Sequence, residues 1–330
     1  MTTHTSQSNL KTTPETTSAP SWIGIDVSKS ELQICSRDPS LKLPAKLPYH
    51  AAGIKLLISK LLPLSHPHIV FEATGSYDKP LLKALQSHGI HCSRINPRHA
   101  RSFARAKGRL AKTDAIDASV LAEYGAVMQP EITPPADPRL EELNALITYR
   151  RHLLEELARE QMQLEHPKPS AITTIIKSRL RTLKAQIEKF NRLIASYVAA
   201  HPSLKRAVDA LSAVKGVGPL TAAGLLAALP ELGTLNRHQA AALAGLAPVN
   251  RDSGTLRGKR CIQGGRREVR HALYMSALVA TRYNSVLSKA YQAMVSRGKV
   301  RKVALVAIMR RLLIHLNSIM ANVLKETVTP

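Results

Sequence analysis

The first third of the chain alternates between short apolar runs and segments with helical spacing. The short runs predict strands, at residues 22–27, 32–35, 42–47, 68–72 and 90–95. Segments whose apolar residues recur every three or four positions predict helices, at 51–62, 78–87, 97–107 and 114–127. This order predicts an α/β domain with a mixed sheet, in which right-handed crossovers join the parallel strands.

The middle of the chain keeps helical spacing over two long segments. Apolar residues of the first segment are Leu143, Leu146, Leu153, Leu157 and Leu164, and prolines at 167 and 169 break the helix. In the second segment the steps alternate between four and three residues from Ile176 to Tyr197, as in a heptad seam. The pattern predicts a long helical hairpin, or coiled-coil arm. Periodicity leaves two interpretations equally open, an arm that packs within the chain or one that joins copies of it.

The last third is again helical. Two short helices are joined by Gly216-Val217-Gly218, which resembles a helix-hairpin-helix element whose amides hold a phosphate without reading sequence. An ordinary helical turn fits these glycines equally well. A basic, loop-rich stretch at 248–267 and helices at 270–280 and 300–324 follow. The expected organisation is a disordered tail (1–20), the α/β domain (21–135), the helical arm (136–200) and a mainly α-helical C-terminal domain (201–330).

Composition adds a large positive charge to this picture. The 330 residues include 47 Lys and Arg against 23 Asp and Glu, a formal net charge of +24. Twenty of these cations and only five of the acids follow residue 200. Nucleic acid is the polyanion that best relieves such self-repulsion. With one Trp and three Phe, we expect phosphate contacts rather than base stacking, and no membrane partner.

Other features favour a reduced, cytoplasmic setting. No apolar run approaches the roughly 18 to 20 residues that cross a bilayer, and the first residues do not resemble a secretion signal. The three cysteines, Cys35, Cys92 and Cys261, form no C-x-x-C pair. Zinc and redox chemistry therefore receive little support.

Four acidic residues occupy positions that favour a shared site. Asp26 interrupts an apolar strand, and Glu72 ends another. Asp114 and Asp117 are three residues apart, so they share one face of a helix that Thr113 can cap. If the strands are neighbours and this helix crosses them, the carboxylates converge on a site that suits two Mg²⁺ ions and phosphoryl transfer. Alternatively, each acid is a helix cap or a surface charge.

Two basic stretches are candidate nucleic-acid contacts, and a solvated charged face is the alternative for both. The first consists of Arg94, Arg98, Arg101, Arg105, Lys107, Arg109 and Lys112. The second consists of Arg251, Arg257, Lys259, Arg260, Arg266 and Arg267. Ser253 lies within the second and could attack a phosphodiester if it is activated, although Ser253-Gly254 alone is typical of a turn.

Together, these motifs resemble the DEDD-type transposases of the insertion sequence 110 family, which are related to Piv-type DNA invertases. The resemblance covers about residues 22–325, with matching segments at Ile23–Lys29, Phe71–Gly75, Lys112–Ala118, Val217-Gly218, Leu243–Pro248, Ser253-Gly254 and Arg270–Met275. His271 stands where the family pattern leads us to expect a second arginine, and the Ser/Thr-rich N-terminal extension lies outside the pattern. Neither departure touches a candidate catalytic position.

The resemblance implies a ribonuclease-H/RuvC-like N-terminal domain in which Asp26, Glu72, Asp114 and Asp117 bind Mg²⁺. It also implies a C-terminal transposase domain with Ser253 as the nucleophile. The implied partners are donor and target DNA, a guide (bridge) RNA encoded by the element, and further copies of the chain. These copies would form a dimer or tetramer whose active sites join the two domains across protomers. We therefore expect an RNA-guided recombinase with a phosphoserine intermediate, located in the bacterial cytoplasm at the nucleoid.

Two alternative functions use the same residues differently. A Mg²⁺-dependent nuclease of the Holliday-junction-resolving type would use water as nucleophile, so it would still cleave after Ser253→Ala. A non-catalytic nucleic-acid-binding protein would bind without Asp26 and Glu72. We favour the recombinase, because a pure binding protein has no reason to place Asp26 within a hydrophobic strand.

Overall fold

The computed structural model describes residues 20–75, 77–109, 113–250, 252–254, 258 and 260–328. The chain divides into two compact units, Met1–Pro135 and Ala136–Pro330. Each unit has a hydrophobic core of its own. Residues 1–19 of the expected tail lie outside the described residues, as do the candidate contacts Lys112, Arg251, Arg257 and Lys259.

The first unit is a five-stranded sheet with helices on both faces. Its elements are β1 (Ser21–Val27), β2 (Glu31–Ser36), β3 (Lys46–Pro48), α1 (Ala51–Leu61), β4 (Pro67–Glu72), α2 (Lys79–Ser87), β5 (His91–Ile95), α3 (Pro97–Ala106) and α4 (Asp114–Met128). The strand order is β3-β2-β1-β4-β5. β1 is antiparallel to β2 and parallel to β4, and β5 continues the parallel side. The predicted mixed α/β sheet is therefore confirmed.

Alternation along β1 assigns the two faces of this sheet. Ile23 and Ile25 are fully buried in the core that also contains α1 and α2. Successive side chains of a strand point to opposite faces, so Gly24 faces the other side, where α4 packs. A Cβ on Gly24 would lie 2.0 Å from the carbonyl oxygen of Ala118. Glycine is required here because the backbones of strand and helix meet directly.

A short strap, residues 130–133, runs along the outer edge of β5 after the end of α4. The Thr133 N–H donates to the carbonyl oxygen of Cys92 at 2.8 Å. The Ser93 hydroxyl donates to the carbonyl oxygen of Glu131 at 2.7 Å. The first bond satisfies a β5 carbonyl that would otherwise stand open at the edge of the sheet, and the second fastens the strap to β5 through a side chain.

Within the described residues, the second unit is helical apart from one small hairpin. Its helices are α5 (Pro138–Gln163), α6 (Ser170–Ala200), α7 (Pro202–Ser212), α8 (Pro219–Ala228), α9 (Arg237–Leu243), α10 (Arg267–Tyr283), α11 (Ser285–Ser296) and α12 (Arg301–Val328). The hairpin pairs β6 (Pro248–Val249) with β7 (Cys261–Ile262). The predicted helical C-terminal region is confirmed, whereas α9 and the hairpin were missed because they are too short for a clear apolar period. α11 was missed although it has 12 residues, because Met294 is its one buried residue and its apolar stripe is therefore weak.

α5 and α6 pack against each other along the predicted helical hairpin. Leu153 of α5 is buried with Leu183 and Ile187 of α6. The positions predicted as the seam of α6 are the less exposed side of that helix. Leu164 differs from the prediction, because it caps the end of α5 and is 36% exposed. That the arm joins copies of the chain stays a prediction.

α12 runs through the core of the second unit. Its residues Leu312, Leu313 and Leu316 have no exposed surface. The segment Arg301–Glu326 is long and apolar enough to cross a membrane by length and composition. The expectation that no segment approaches this length was therefore wrong. The buried leucines show why the helix is apolar, since core helices of soluble proteins have the same composition.

Candidate functional site

Asp26 and Glu72 lie side by side on adjacent parallel strands. The register of β1 and β4 pairs Ile25 with Phe71, and each acid is the next residue of its strand. Ile25 and Phe71 point into the core shared with α1 and α2. Both acids therefore point to the opposite face, which α4 covers. Each of the two side chains is half-buried.

Asp114 and Asp117 occupy the first turn of α4. Thr113 caps this helix, because its hydroxyl oxygen accepts a hydrogen bond from the Ile116 N–H at 3.3 Å. Acidic side chains are stabilised there by the helix dipole. Asp114 is exposed and Asp117 is half-buried. The two acids share one side of the helix because they are three residues apart.

The direction of α4 brings these two acids toward Asp26. Ala118 contacts Gly24, whereas a Cβ on Gly125, further along the helix, would lie 2.5 Å from the Trp22 ring. The helix therefore runs antiparallel to β1, and its first turn lies toward the carboxyl end of that strand. The backbone thus places all four candidate acids at one edge of the sheet.

Two polar residues that were not predicted as site residues, Gln33 and Lys46, continue this polar row across the sheet. Gln33 pairs with Asp26, and Lys46 pairs with Gln33. Lys46 Nζ donates to Glu31 Oε2 at 2.9 Å. This hydrogen bond raises the pKa of Lys46, helped by the negative charges of Glu31 and Asp114. Polar residues at alternate positions of β2 were the signal that could have indicated the row.

The donor set suits a hard divalent cation. Carboxylate oxygens are the ligands that Mg²⁺ prefers, and four of them belong to the same edge of the sheet. Among the described residues, no three His, Cys, Asp or Glu side chains are grouped closely enough to hold a metal ion. The acids suit a divalent cation by their chemistry and by the strand ends and helix turn that carry them, but their side chains are apart, so metal binding would have to draw them together.

The basic stretch before α4 separates into exposed and paired members. Arg98, Arg101 and Arg105 lie on the exposed side of α3. The ion pairs found among the described residues do not include these three arginines. They are thus available for phosphates.

Other members of the stretch have partners within the unit. Lys107 lies 2.8 Å and Arg109 3.3 Å from the carboxylate of Glu123. The hydrogen bond from Lys107 is the main reason that the pKa of Glu123 lies below its usual range. Arg94 donates from Nε to the fully buried Asp78. These contacts hold α3 and β5 in place, so the three cations are less available to nucleic acid.

Ser253 is exposed in the loop that joins β6 and β7. Gly254 follows it with a positive φ of 54°. The Asp252 carboxylate accepts a hydrogen bond from the Gly258 N–H at 3.1 Å, which closes the loop around Ser253. An exposed hydroxyl on a closed loop can reach a phosphodiester once it is activated.

Two glycines fix the base of this hairpin. Gly245 and Gly265 have φ angles of 65° and 68°. A Cβ on Gly265 would lie 2.1 Å from the backbone nitrogen of Gly245. Arg270 donates to the carbonyl oxygen of Gly264 at 2.6 Å and holds the same crossing. This close approach explains why the segment Leu243–Pro248 contains a glycine.

The arginines near the hairpin, like those before α4, include both exposed residues and residues that are paired with an acid. Arg260 and Arg267 are exposed. Arg266 instead donates two hydrogen bonds to Glu231, at 2.6 and 2.7 Å, and one to the Ala228 carbonyl oxygen at 3.0 Å. Burial raises the pKa of Glu231, but the hydrogen bonds from Arg266 and from the backbone, together with the Arg266 charge, leave its pKa below the usual value. Arg266 therefore fixes the start of α10.

The predicted phosphate-binding turn joins α7 and α8. Gly216 has φ 107°, and a Cβ there would lie 2.8 Å from the carbonyl oxygen of Ser276 in α10. Glycine is thus required at position 216, where the turn packs against α10. Gly218 is the N-cap of α8, is exposed, and has open space around it. Of the two glycines, only Gly218 has room for a ligand.

Comparisons with known proteins match most of the chain. A DEDD-type IS110 model described as a transposase matches residues 23–166, and the model of the transposase IS116/IS110/IS902 family matches residues 208–292. A pilin gene-inverting protein of Moraxella bovis is 31% identical over 255 residues, which are 74% of this chain and 77% of that protein. The pilin gene-inverting protein of Moraxella lacunata is 29% identical over 305 residues, 88% and 93% of the two chains. An uncharacterized 43.6 kDa protein of insertion element IS110 from Streptomyces coelicolor is 30% identical over 148 residues, 44% of this chain and 34% of that protein.

Proposed function

The chain belongs to the IS110 family of transposases, and on this premise we propose that it is an RNA-guided recombinase that forms a phosphoserine at Ser253. Membership makes it a DNA recombinase or transposase that acts on DNA. The proposal adds the nucleophile, the metal and the guide. It also takes the first unit to be a ribonuclease-H/RuvC-like domain, which the strand order β3-β2-β1-β4-β5 with its antiparallel and parallel halves supports.

The observation that carries the proposal is the placement of the four acids at one edge of the sheet. Asp26 and Glu72 follow paired residues of adjacent strands, and the first turn of α4 brings Asp114 and Asp117 toward them. Asp26, Glu72 and Asp117 are half-buried, and drawing them together with Asp114 is unfavourable unless a cation offsets the repulsion between carboxylates.

We take the cofactor to be Mg²⁺, with two ions shared by Asp26, Glu72, Asp114 and Asp117. When bound, Mg²⁺ supplies positive charge that stabilises phosphoryl transfer. The chain's own part is to hold the carboxylates at the strand ends through β1, β4 and α4. Lys46, near Asp114, contributes a permanent positive charge to the same edge.

Ser253 performs the covalent step. Its oxygen forms a bond to the scissile phosphorus while the bond from phosphorus to the 3′ oxygen breaks. The serine hydroxyl gives its proton to solvent, and the leaving 3′ oxygen takes one from solvent and is released as a 3′-hydroxyl. The 3′-hydroxyl of the exchanged strand then attacks the phosphoserine and frees Ser253. Each broken phosphodiester is replaced by a new one, so the reaction needs no ATP.

Donor and target DNA and a structured guide RNA are the proposed partners. Base pairing would carry the sequence information, and the protein would contact backbone phosphates. Exposed arginines on α3 and near the hairpin support backbone contacts, as does the low aromatic content of 4%. Function as a dimer or tetramer belongs to the same proposal.

A covalent-adduct assay tests the chemistry. The purified protein, its co-purifying RNA, labelled donor and target DNA and Mg²⁺ are combined and separated on a denaturing gel. We expect a Mg²⁺-dependent protein–DNA band that is lost in Ser253→Ala and in Asp26→Asn. Ser87→Ala and Asp38→Asn remove an exposed hydroxyl and an exposed carboxylate of the first unit, and they should leave the band unchanged.

Each alternative function predicts a different set of bands on this gel. Cleaved DNA without an adduct, unchanged by Ser253→Ala, would reject the serine and identify a hydrolytic nuclease. Binding without cleavage, unaffected by Mg²⁺ or by Asp26→Asn, would identify a binding protein. An adduct of undiminished yield after removal of the RNA would reject guidance while leaving the serine chemistry intact.

A further inference from the structure

The last three helices have a charge pattern that neither candidate catalytic group explains. Between Val269 and Lys325 the sequence has ten Lys and Arg and no Asp or Glu. This stretch comprises α11, most of α10 and most of α12. Its cations can therefore find no acidic partner within their own segment.

Four of these cations are concentrated where α11 ends and α12 begins. This basic turn, residues 297–302, contains Arg297, Lys299, Arg301 and Lys302, and all four are exposed. The ion pairs among the residues that the structure describes include none of them. The basic turn thus presents four positive charges to solvent within six residues.

The backbone of the basic turn is held by its own hydrogen bonds. Gly298 has φ 82°, and its N–H donates to the Val295 carbonyl oxygen at 2.9 Å. The Lys299 N–H donates to the carbonyl oxygen of Met294 at 3.1 Å, and Met294 is buried. This is the hydrogen-bond pattern that ends a helix with a left-handed glycine. The four charges therefore project from a defined scaffold.

Two of these cations occupy an electrostatically unfavourable position. The first turn of a helix carries partial positive charge and favours acids, as at Asp114 and Asp117 of α4. α12 instead begins with Arg301 and Lys302 and has no acid in its first turn. An arrangement that weakens the isolated fold is expected where a bound anion compensates for it.

We propose that the basic turn binds the phosphate backbone of duplex DNA without regard to base sequence. This inference rests on the proposed action on DNA, and it adds a contact surface to those of α3 and the Ser253 hairpin. The turn has no aromatic side chain on which an unpaired base could stack, and single-stranded RNA recognition depends on such stacking. Flexible cations on a fixed backbone suit the regularly spaced phosphates of a duplex.

The test compares two double variants of the full chain that lose the same charge. Arg301→Gln/Lys302→Gln alters the basic turn, and Lys55→Gln/Lys60→Gln alters exposed lysines of α1. Anisotropy of labelled duplexes with unrelated sequences is measured without Mg²⁺ over a range of salt concentrations. We expect the first variant to lose about tenfold in affinity for every duplex, with a salt slope smaller by about two, and the control to match the wild type.

Thermal unfolding separates binding from a structural role. Removing two cations from the start of α12 should leave the Tm unchanged or raise it. A lower Tm, with the affinity loss explained by unfolding, would overturn the proposal. An unchanged salt slope, a loss confined to one DNA sequence, or a loss seen with an RNA hairpin but not with DNA would also overturn it.

Ser253→Ala keeps this inference distinguishable from the recombinase proposal. We expect that variant to bind duplex DNA with the wild-type salt slope. If the wild type forms no adduct while Arg301→Gln/Lys302→Gln still lowers the salt slope, the proposed serine chemistry is rejected and the DNA-binding role of the basic turn is retained. If the adduct forms normally and Arg301→Gln/Lys302→Gln leaves the salt slope unchanged, the proposal that the basic turn binds DNA is rejected and the proposed serine chemistry is retained.

Discussion

The two candidate catalytic groups are built in opposite ways. The acids of the first unit are positioned by the register of β1 and β4 and by a helix whose backbone meets Gly24 directly. Ser253 instead lies in an exposed loop that the Asp252–Gly258 hydrogen bond closes. Carboxylates that are to bind a metal need backbone positions fixed near their working geometry, and strands and helices supply such positions. A serine that is to attack DNA must above all be accessible to the DNA. The bound DNA can then fix the orientation of the serine side chain.

Gly24→Ala should have the largest effect, because it disrupts the backbone contact between β1 and α4 that positions the acids. The new Cβ would lie 2.0 Å from a backbone oxygen of Ala118, so α4 would have to move away from the sheet. We expect a loss of about 3 kcal/mol or more in unfolding free energy, together with loss of the adduct. Urea unfolding followed by Trp22 fluorescence measures the first effect.

Gly224→Ala is the matched control for Gly24→Ala. The nearest atom to a Cβ on Gly224 lies 3.8 Å away, and alanine is the better helix former. Because Gly224 lies in the second unit, its unfolding is followed by far-ultraviolet circular dichroism, and this variant should be as stable as the wild type or slightly more stable. Wild-type stability in Gly24→Ala would show that α4 is not fixed by this contact.

Acid should weaken the first unit through His68. This imidazole is 6% exposed and lies 2.7 Å from the Ser93 hydroxyl, and burial, with the charge of His91 second, lowers its pKa to about 4. The folded state thus favours neutral His68, whose contribution is complete above about pH 6.5 and is lost as the pH falls toward 4. The contribution is about 3 kcal/mol, at roughly 1.4 kcal/mol per pKa unit.

Trp22 reports this acid transition, because its ring centroid lies 4.3 Å from that of His68. We expect its fluorescence to change at a higher pH than the far-ultraviolet circular dichroism, which the helices of the second unit dominate. His68→Gln should shift the fluorescence transition to lower pH. Coincident transitions in the wild type would mean that acid does not act first on the sheet.

Gly265→Ala alters the base of the hairpin that carries Ser253. Its Cβ would lie 2.1 Å from the Gly245 nitrogen, at a backbone φ of 68° that alanine adopts poorly. A displaced hairpin base costs about 2 kcal/mol, which corresponds to roughly 30-fold slower adduct formation. Unfolding of the first unit, followed by Trp22, should not change. A wild-type adduct rate would show that the crossing does not position Ser253.

Asp252→Ala should have the smallest effect. It removes one exposed hydrogen bond, worth about 1 kcal/mol or roughly fivefold in the adduct rate. Asp252→Asn keeps the oxygen that accepts from Gly258 and should retain the wild-type rate. Equal losses in both variants would assign Asp252 a role through its charge instead of through the shape of the loop.

Much of the first unit could be predicted because its signals are local. Apolar strand runs mark the sheet, and Asp26 stands out because it interrupts one of them. The pairing of Arg94 with buried Asp78 could not be predicted, since a run of charges does not show which member has a partner elsewhere in the fold. Lys46 falls within the strand predicted at residues 42–47, whereas β3 is Lys46–Pro48, and the sequence did not show the register that pairs Lys46 with Gln33 beside Asp26.

The hairpin around Ser253 lacked such signals. Each of its strands has two residues, too few for an alternating pattern. Its shape depends on Gly245 and Gly265, which are twenty residues apart in the sequence. Such a crossing is a long-range contact, and neither glycine differs locally from a glycine of an ordinary turn.

The strap along β5 also protects the protein from aggregation. An open sheet edge can pair with any other exposed strand, and natural proteins cover such edges. β3, at the other edge, is short and contains Lys46 and Pro48, which discourage pairing. The strap does the same for β5 with the segment by which the chain leaves the first unit. We expect a chain that ended at Met128 to expose the edge of β5, so the strap also shields this sheet from pairing with other exposed strands.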